Sequence, residues 1–382
     1  MKKQTLGPER TDVAVVGGGV SGVAIAGALA RRGIETLLLE GETLGAGASS
    51  AMPGHIFLGL VDPYNRIVTA LGAVRAGQIW EISAENRRQV RKRIPPLREG
   101  LLALAQKPHE LREFEEAFTL LSRHPFPVES WDEKRAREAS GSPKVIGGLY
   151  DPEGIVIDPT LLVAALAKEA RAAGARLLEG IEVEGIESTN RDLQLSTPHG
   201  KVHTEIVVIA TNGYARRLHP FFGHAILPRK GQFLRTRPLP PMTTLGLHAN
   251  FGSEAWYQEK GGRIVLGSLR WFEREGEERI WNPQPAARMT EGMITFLREF
   301  HPELGEIPLE RVGVGIMGFS CDGLPLVGPL PGAPRIVSMA GFCGRGFGFA
   351  LACAEALAGM IETGTIAPPY RLFSPRRLTI AG

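Results

Sequence analysis

The feature that most constrains this chain is a strand, a glycine turn, a helix and a second strand close to its N-terminus. Thr11 to Val16 is short, valine-rich and ended by glycines, the pattern of a buried strand. Val20 to Arg32 reads as a helix with Ala24, Gly27 and Ala28 along one face and Arg31-Arg32-Gly33 at its end. Ile34 to Leu39 is a second apolar strand, closed by Glu40. Gly17-Gly18-Gly19-Val20-Ser21-Gly22 occupies the first turn. There Gly17 permits the tight turn, Gly19 lets a pyrophosphate approach the backbone, and Gly22 lets the helix pack closely on the strand. Val20 and Ser21 open the helix, whose N-terminus offers unpaired N–H groups and a dipole to phosphates. Glu40 stands where a carboxylate bonds ribose hydroxyls and disfavours a 2′-phosphate, which leaves FAD or NAD rather than NADP.

A second copy of the spacing, Gly313-Val-Gly315-Ile-Met-Gly318, is followed by FSCDGLPLVGP, with proline where a helix should run. It reads as a glycine-rich strand or loop. Residues 13–30, VAVVGGGVSGVAIAGALA, carry no charge and look like a secretory leader or a short membrane span. Glycines at its centre and the abutting Glu9, Arg10 and Asp12 argue against both, and no other window reads as long and apolar enough to span. No integral membrane anchor is therefore expected.

Composition narrows the class. A chain of 382 residues exceeds the roughly 250–300 at which one core stops growing, so two packed units are expected. With 43% hydrophobic and 22% charged residues, wholesale disorder is excluded. Glycine, at 47 residues, is well above the usual share of roughly 7% and follows no Gly-X-Y period, so special backbone conformations are implied. The 44 basic and 41 acidic residues nearly balance, without a long basic run, so no nucleic-acid partner is expected. Cys321, Cys343 and Cys353 form no CxxC pair; a cytoplasmic location fits, and no metal site is expected.

Further motifs are dispersed along the chain. Gly45-Ala-Gly47-Ala-Ser49-Ser50-Ala51-Met52-Pro53-Gly54-His55 follows the second strand. Pro159 to Ala175 is an amphipathic helix leading into a strand, Ala175 to Val183. Glu205 to Tyr214 is an apolar strand closed by Ala210-Thr211-Asn212-Gly213. Near the C-terminus come Asp322-Gly323-Leu324-Pro325-Leu326-Val327-Gly328-Pro329, a strand, then Gly341-Phe342-Cys343-Gly344-Arg345-Gly346-Phe347-Gly348 and an apolar helix, Ala350 to Ile361.

This succession resembles the FAD-dependent amine and amino-acid oxidases, the group of D-amino-acid, glycine and sarcosine oxidases. The resemblance implies an FAD cofactor. Gly47, Ser49, Ser50, Met52 and Gly54 would run along the pyrophosphate and past the flavin, with Val183 at the adenine. Thr211 and Gly213 would pass near the FAD. Gly344, Arg345, Gly346, Phe347 and Gly348 would open a helix whose N-terminus stabilises negative charge on a reduced flavin. Gly315 stands where some members attach flavin through cysteine, so the FAD is expected to be non-covalent.

The expected fold class is α/β, with an α+β substrate part. A Rossmann-like FAD-binding domain would comprise residues 1–60, 151–214 and 311–382; a discontinuous substrate domain would comprise 61–150 and 215–310. The first of those insertions reads as helical and charge-rich, and Arg87-Arg88-Gln-Val-Arg91-Lys92-Arg93 within it as a solvated helix face. The second alternates apolar and polar residues and reads as an antiparallel sheet. The resemblance makes that sheet a cover for the flavin, with Tyr257 facing substrate and His55 and Arg345 as further catalytic candidates. The implied reaction passes a hydride from the carbon bearing an amine to flavin N5, which needs a neutral amine, orientation and exclusion of water.

Two departures qualify the substrate and the acceptor. Met317 replaces the arginine that clamps the carboxylate in amino-acid oxidases, so a simple α-amino acid is disfavoured unless Arg345 or Arg270 substitutes. Val265 stands where the sarcosine oxidase branch has an oxygen-activating lysine, so fast use of O2 is disfavoured and a quinone or protein becomes the alternative acceptor. Two alternatives stay open: C–O oxidation of a 2-hydroxy acid or polyol phosphate, and a flavoprotein subunit that passes electrons inside a larger complex.

Overall fold

Residues 13–16 are buried on both faces of their strand, which explains why that stretch reads as an unbroken apolar run. The structure, a computed structural model, describes residues 9–267 and 284–379. Arg270 lies outside the described residues. Strand β1 (Glu9–Val16) runs parallel to β2 (Thr36–Glu40) on one side and to β10 (Gly200–Ile209) on the other. The sheet continues through β7 (Arg176–Glu179) beyond β2, and through β17 (Ala333–Ala340) and β16 (Leu326–Leu330) beyond β10. The first five of these are mutually parallel, and β16 is antiparallel to β17. A hairpin of β8 (Gly185–Ser188) and β9 (Leu193–Thr197) extends from β10. Apolar side chains from β1, β2, β10 and β17 form its core with Phe222 and Leu326.

The helix Val20–Ala30 connects β1 to β2 with all eleven residues buried. The uncharged run 13–30 is thus a strand, a turn and a core helix. A second helix, Gly346–Thr363, packs against it, and Arg31 and Arg32 pair with Glu355 on that partner. By length and composition Gly346–Thr363 is apolar enough to cross a membrane, which corrects the expectation that no later window would be. Ten of its residues, Phe347 and Phe349 among them, are buried.

Several boundaries differ from expectation. The first helix ends at Ala30, because Gly33 turns the chain at a positive φ of 75°. The strand expected to reach Val183 stops at Glu179, where Gly180 takes φ 73°. Instead of beginning at Ala350, the last helix begins at Gly346.

The other sheet has the order β15 (Leu309–Ser320), β11 (Ile226–Thr236), β14 (Ile264–Gly267), β13 (Glu254–Gln258), β12 (Gly246–Ala249), β4 (Arg98–Ala105), β6 (Gly147–Val156) and β3 (His55–Ile56). A further strand, β5 (Glu129–Trp131), pairs with β6. Strands β3, β4 and β5 pair antiparallel with β6, as do β11 with β14, β14 with β13 and β13 with β12, whereas β4 runs parallel to β12. Gly313 to Gly318 lies in β15, a strand rather than a nucleotide turn. Leu102, Leu104, Leu234, Leu247, Trp256 and Leu266 point to one face and form a core with the helix Ala287–Phe300. Strand alternation sends Leu101, Phe233, Tyr257 and Val265 to the opposite face, where they cluster separately.

The region read as helical in pattern contains β4, β5 and the start of β6 as well as helices. Arg87 also departs from expectation. It is 2% exposed and bonds Asp151 at 2.5 Å and Glu153 at 2.7 Å, whereas Arg88 and Arg91 pair at the surface. Two compact units result: Met1–Ser49, Thr160–Arg229 and Met317–Gly382 form one, and Ser50–Pro159 with Lys230–Ile316 the other. Compared with the expected bounds, residues 50–60, 151–159 and 311–316 fall in the second unit, because β3, β6 and β15 belong to its sheet, and residues 215–229 fall in the first, whose core takes in Phe221, Phe222 and Ala225.

Candidate functional site

In the first unit, the turn after β1 is built so that no side chain fits. Gly17 has φ 104°, and a Cβ there would meet Ala210 and Thr211 at 3.1 Å. A Cβ on Gly18 would lie 2.6 Å from Leu44, and one on Gly22 only 1.8 Å from the Gly17 carbonyl oxygen. The helix therefore closes directly onto the turn, as the spacing implies. Its N-cap is Gly19, which has no side chain to satisfy the first N–H groups. Ser49 Oγ, from the turn Gly47–Ser49, accepts from the Val20 N–H at 3.1 Å. Ser21 is buried in the same first turn of the helix.

Glu40 bends back to this turn. Its Oε2 accepts from Gly18 N–H at 2.5 Å and its Oε1 from Glu42 N–H at 2.8 Å, and each oxygen retains a further lone pair. Val183 is buried in the loop after β7, between Ile181, whose N–H donates to Glu40 O, and Glu184, whose N–H donates to Ser196 O. Beside Gly17 sits Thr211, whose hydroxyl is buried without a hydrogen-bond partner among the described residues. A buried hydroxyl of this kind carries a desolvation penalty of about 1–3 kcal/mol until something bonds it. A glycine cradle, a helix start without its own cap and an orphaned hydroxyl together fit a diphosphate.

The C-terminal loop meets the same place. Gly341, Cys343 and Gly344 all have positive φ, between 52° and 80°, and lead into the helix Gly346–Thr363. A Cβ on Gly346 would lie 3.9 Å from Val20 Cγ1, so the starts of the two helices adjoin. Arg345, the N-cap, is 8% exposed, and Phe347 and Gly348 are buried behind it. Asn212, at φ 48°, accepts from Gly341 N–H through Oδ1 at 3.0 Å and so ties this loop to the Thr211 turn. A Cβ on Gly318 would lie 3.0 Å from Gly213 N, which accounts for the small residues at both. Asn212 was not singled out in the sequence; its tolerance of left-handed backbone is the signal that marks it. Met317 is buried, its Sδ 3.7 Å from where a Cβ on Gly344 would be.

Within the second unit, Ser50 and Met52 are half-buried. Gly54 has a packing reason: a Cβ there would lie 2.0 Å from Ile157 O, and its own carbonyl accepts from Ile157 N–H at 2.9 Å. The two catalytic candidates of this unit do come together. His55 and Tyr257 are each 5% exposed and meet edge to face with centroids 6.1 Å apart. His55 also stacks on Phe57 at 5.5 Å, and Phe57 meets His248 edge-on at 4.7 Å. His248 was likewise not singled out; its period-two spacing from Gly246, which pairs with Tyr257, puts it on this face. Burial pushes the Tyr257 phenol well above its ordinary pKa, reinforced by Glu259 and Asp158 and opposed by Arg235 and Arg98. That phenol is a neutral hydrogen-bond donor in an apolar setting.

Comparison with known proteins identifies the setting. A sequence model of the FAD dependent oxidoreductase family (DAO) matches residues 12–360. The chain is 27% identical over 327 residues to the glycine oxidase of Geobacillus kaustophilus, covering 84% of this chain and 85% of that one. The crystal structure of glycine oxidase from that organism superposes with a TM-score of 0.84 at 25% identity, over 97% of this chain and 100% of the other. Similarity to the probable oxidoreductase OrdL of Haemophilus influenzae is 26% over 247 residues, spanning 60% of this chain and 56% of that protein's length.

Proposed function

This chain belongs to the FAD dependent oxidoreductase family, and we propose that within it the protein oxidises the C–N bond of an amine or a modified amino acid. FAD, when bound, supplies a two-electron acceptor that takes hydride at N5 of its ring. The residues proposed to hold it are Gly17, Gly19, Val20, Ser21 and Gly22 at the diphosphate, Glu40 at a ribose, and Val183 at the adenine. Thr211 and Gly213, the segment Gly47, Ser49, Ser50, Met52 and Gly54, and Gly344 to Gly348 complete the set. With Gly315 at the attachment position, the FAD is proposed to be non-covalent.

The observation that carries the substrate reading is the pairing of buried His55 and Tyr257 on one sheet face. Tyr257 keeps its proton and donates a hydrogen bond to an acceptor group on the substrate. His55 and Phe57 orient the rest of the molecule, and the low exposure of the cluster keeps water away. Arg345 contributes a permanent positive charge. Met317, a thioether, gives no bidentate clamp, which favours amines whose carboxylate is absent, modified or held elsewhere. Val265 in place of a lysine favours a quinone or protein acceptor over O2. A cytoplasmic location is proposed on the three cysteines, none of which forms a disulfide.

Anaerobic mixing of the FAD-loaded protein with a panel of amines, N-substituted amino acids, 2-hydroxy acids and polyol phosphates tests the reading. Bleaching by an amine, with ammonia or a smaller amine as product, supports it. Bleaching by hydroxy acids alone assigns the protein to C–O oxidation. A flavin that no small molecule bleaches, in a chain that co-purifies with a partner, assigns it to electron transfer within a complex.

A further inference from the structure

Trp256 connects the buried core of the second unit to the face that carries His55 and Tyr257. Its indole is fully buried against Phe296 and Phe300, with centroids at 5.2 and 5.1 Å, and its Nε1–H donates to His301 Nε2 at 3.3 Å. His301 is also fully buried, and its Nδ1 lies 3.4 Å from Gly141 O and 3.5 Å from the Glu303 carboxylate. These partners leave one arrangement. An indole N–H can only donate, so Nε2 of His301 must offer its lone pair; a carbonyl can only accept, so Nδ1 must hold the proton.

The main chain of the same tryptophan faces the other way. Its carbonyl lies 3.2 Å from Nε2 of His55. That nitrogen therefore carries the proton, and in the neutral ring Nδ1 presents the lone pair. Tyr257 follows Trp256 in β13, and alternation turns it to the face where His55 meets it.

We propose that His301 and Trp256 are positioning residues for that face: His301 fixes the indole, the indole fixes β13, and β13 holds His55 in one tautomer and Tyr257 in one orientation. This rests on the substrate reading of His55 and Tyr257 given above. Protonating His301 would set N–H against N–H at the indole and release the anchor. Around His301 stand the exposed Glu303 carboxylate on its own turn, the indole from β13, the Gly141 carbonyl from the loop after the helix Glu133–Ser140, and apolar Phe300. Burial keeps its pKa below the ordinary histidine value, with Glu303 opposing, so the neutral form holds at neutral pH.

The test uses the FAD-loaded protein labelled with ¹⁵N-histidine, with the His55 signals assigned by their loss in H55Q. Wild type and H301Q should both show His55 protonated at Nε2 and not at Nδ1, because a glutamine amide accepts from the indole and donates to Gly141. H301L and W256F should show mixed His55 tautomers, unchanged FAD content and flavin reduction slowed by about tenfold or more. Protonation of the substrate amine slows reduction in acid for both proteins; beyond it, the wild type should show a further acid-side fall that H301Q lacks. W256F leaves His301 neutral and so covers a folding failure of H301L. An unaltered His55 tautomer in H301L and W256F, or an H301Q as slow as H301L, overturns the proposal. If no amine bleaches the flavin, the functional reading fails and the tautomer measurement alone decides this one.

Discussion

At Gly22 a single added methyl group would sit 1.8 Å from a carbonyl oxygen. Gly22→Ala must push the helix Val20–Ala30 off β1, at about 1–3 kcal/mol for overpacking; the purified variant should melt earlier and carry less FAD. Thr211 is the opposite case. Its hydroxyl has no partner among the described residues, so Thr211→Val should leave the cofactor-free protein at least as stable as before, by up to about 1–3 kcal/mol more. FAD binding should weaken by about five- to tenfold, the worth of one hydrogen bond, when titrated by fluorescence. Tyr257→Phe should keep its FAD and slow substrate-driven reduction. Because burial raises the phenol's pKa, Tyr257 stays protonated through pH 10, and the wild-type-to-variant rate ratio should be flat from pH 7 to 10. A ratio that falls within that range would show the phenol ionising there.

Among the elements, the Asp322-Gly-Leu-Pro turn has a structural account. Asp322 bonds Arg377 through both oxygens, at 2.6 and 2.9 Å, while the same guanidinium donates to the carbonyls of Leu324 and Pro325. Burial raises the Asp322 pKa, and the guanidinium and main-chain N–H outweigh it, so the carboxyl sits below its ordinary value. That stabilisation is complete above the unfolded-state pKa and is lost as pH falls through the lower folded one. Asp322→Asn should cost about 1–2 kcal/mol at neutral pH for this partly exposed pair, and the difference in melting temperature should shrink in acid.

The same scale explains what the sequence made legible. The first strand, turn, helix and strand could be read because their chemistry is local to residues 9–40. By contrast β4 could not: GLLALA is too short for its period to separate a strand from a buried helix segment, and its parallel pairing with β12 is remote. The meeting of Val20 with Gly346 depends on sheet order, which no local pattern encodes. Tyr257 and His55 were identifiable as types at positions, but their edge-to-face contact, and the part played by Trp256 and His301 behind it, required the register of β13.

On the scale of the whole molecule, each compact unit draws on separated stretches of sequence, so the glycine turn near one end and the closing helix near the other belong to one body. FAD should therefore report on the integrity of that unit as a whole. Its N-terminal crossover supplies the cradle, the Thr211 turn supplies the hydroxyl, and the C-terminal loop supplies the second helix start. The most direct measurement is to denature the purified chain in acid, separate protein from supernatant, and quantify the flavin in each. The expected result is one FAD per chain, all of it released. A folded chain that stays colourless and binds no added FAD, or a flavin that remains on the polypeptide, would contradict it.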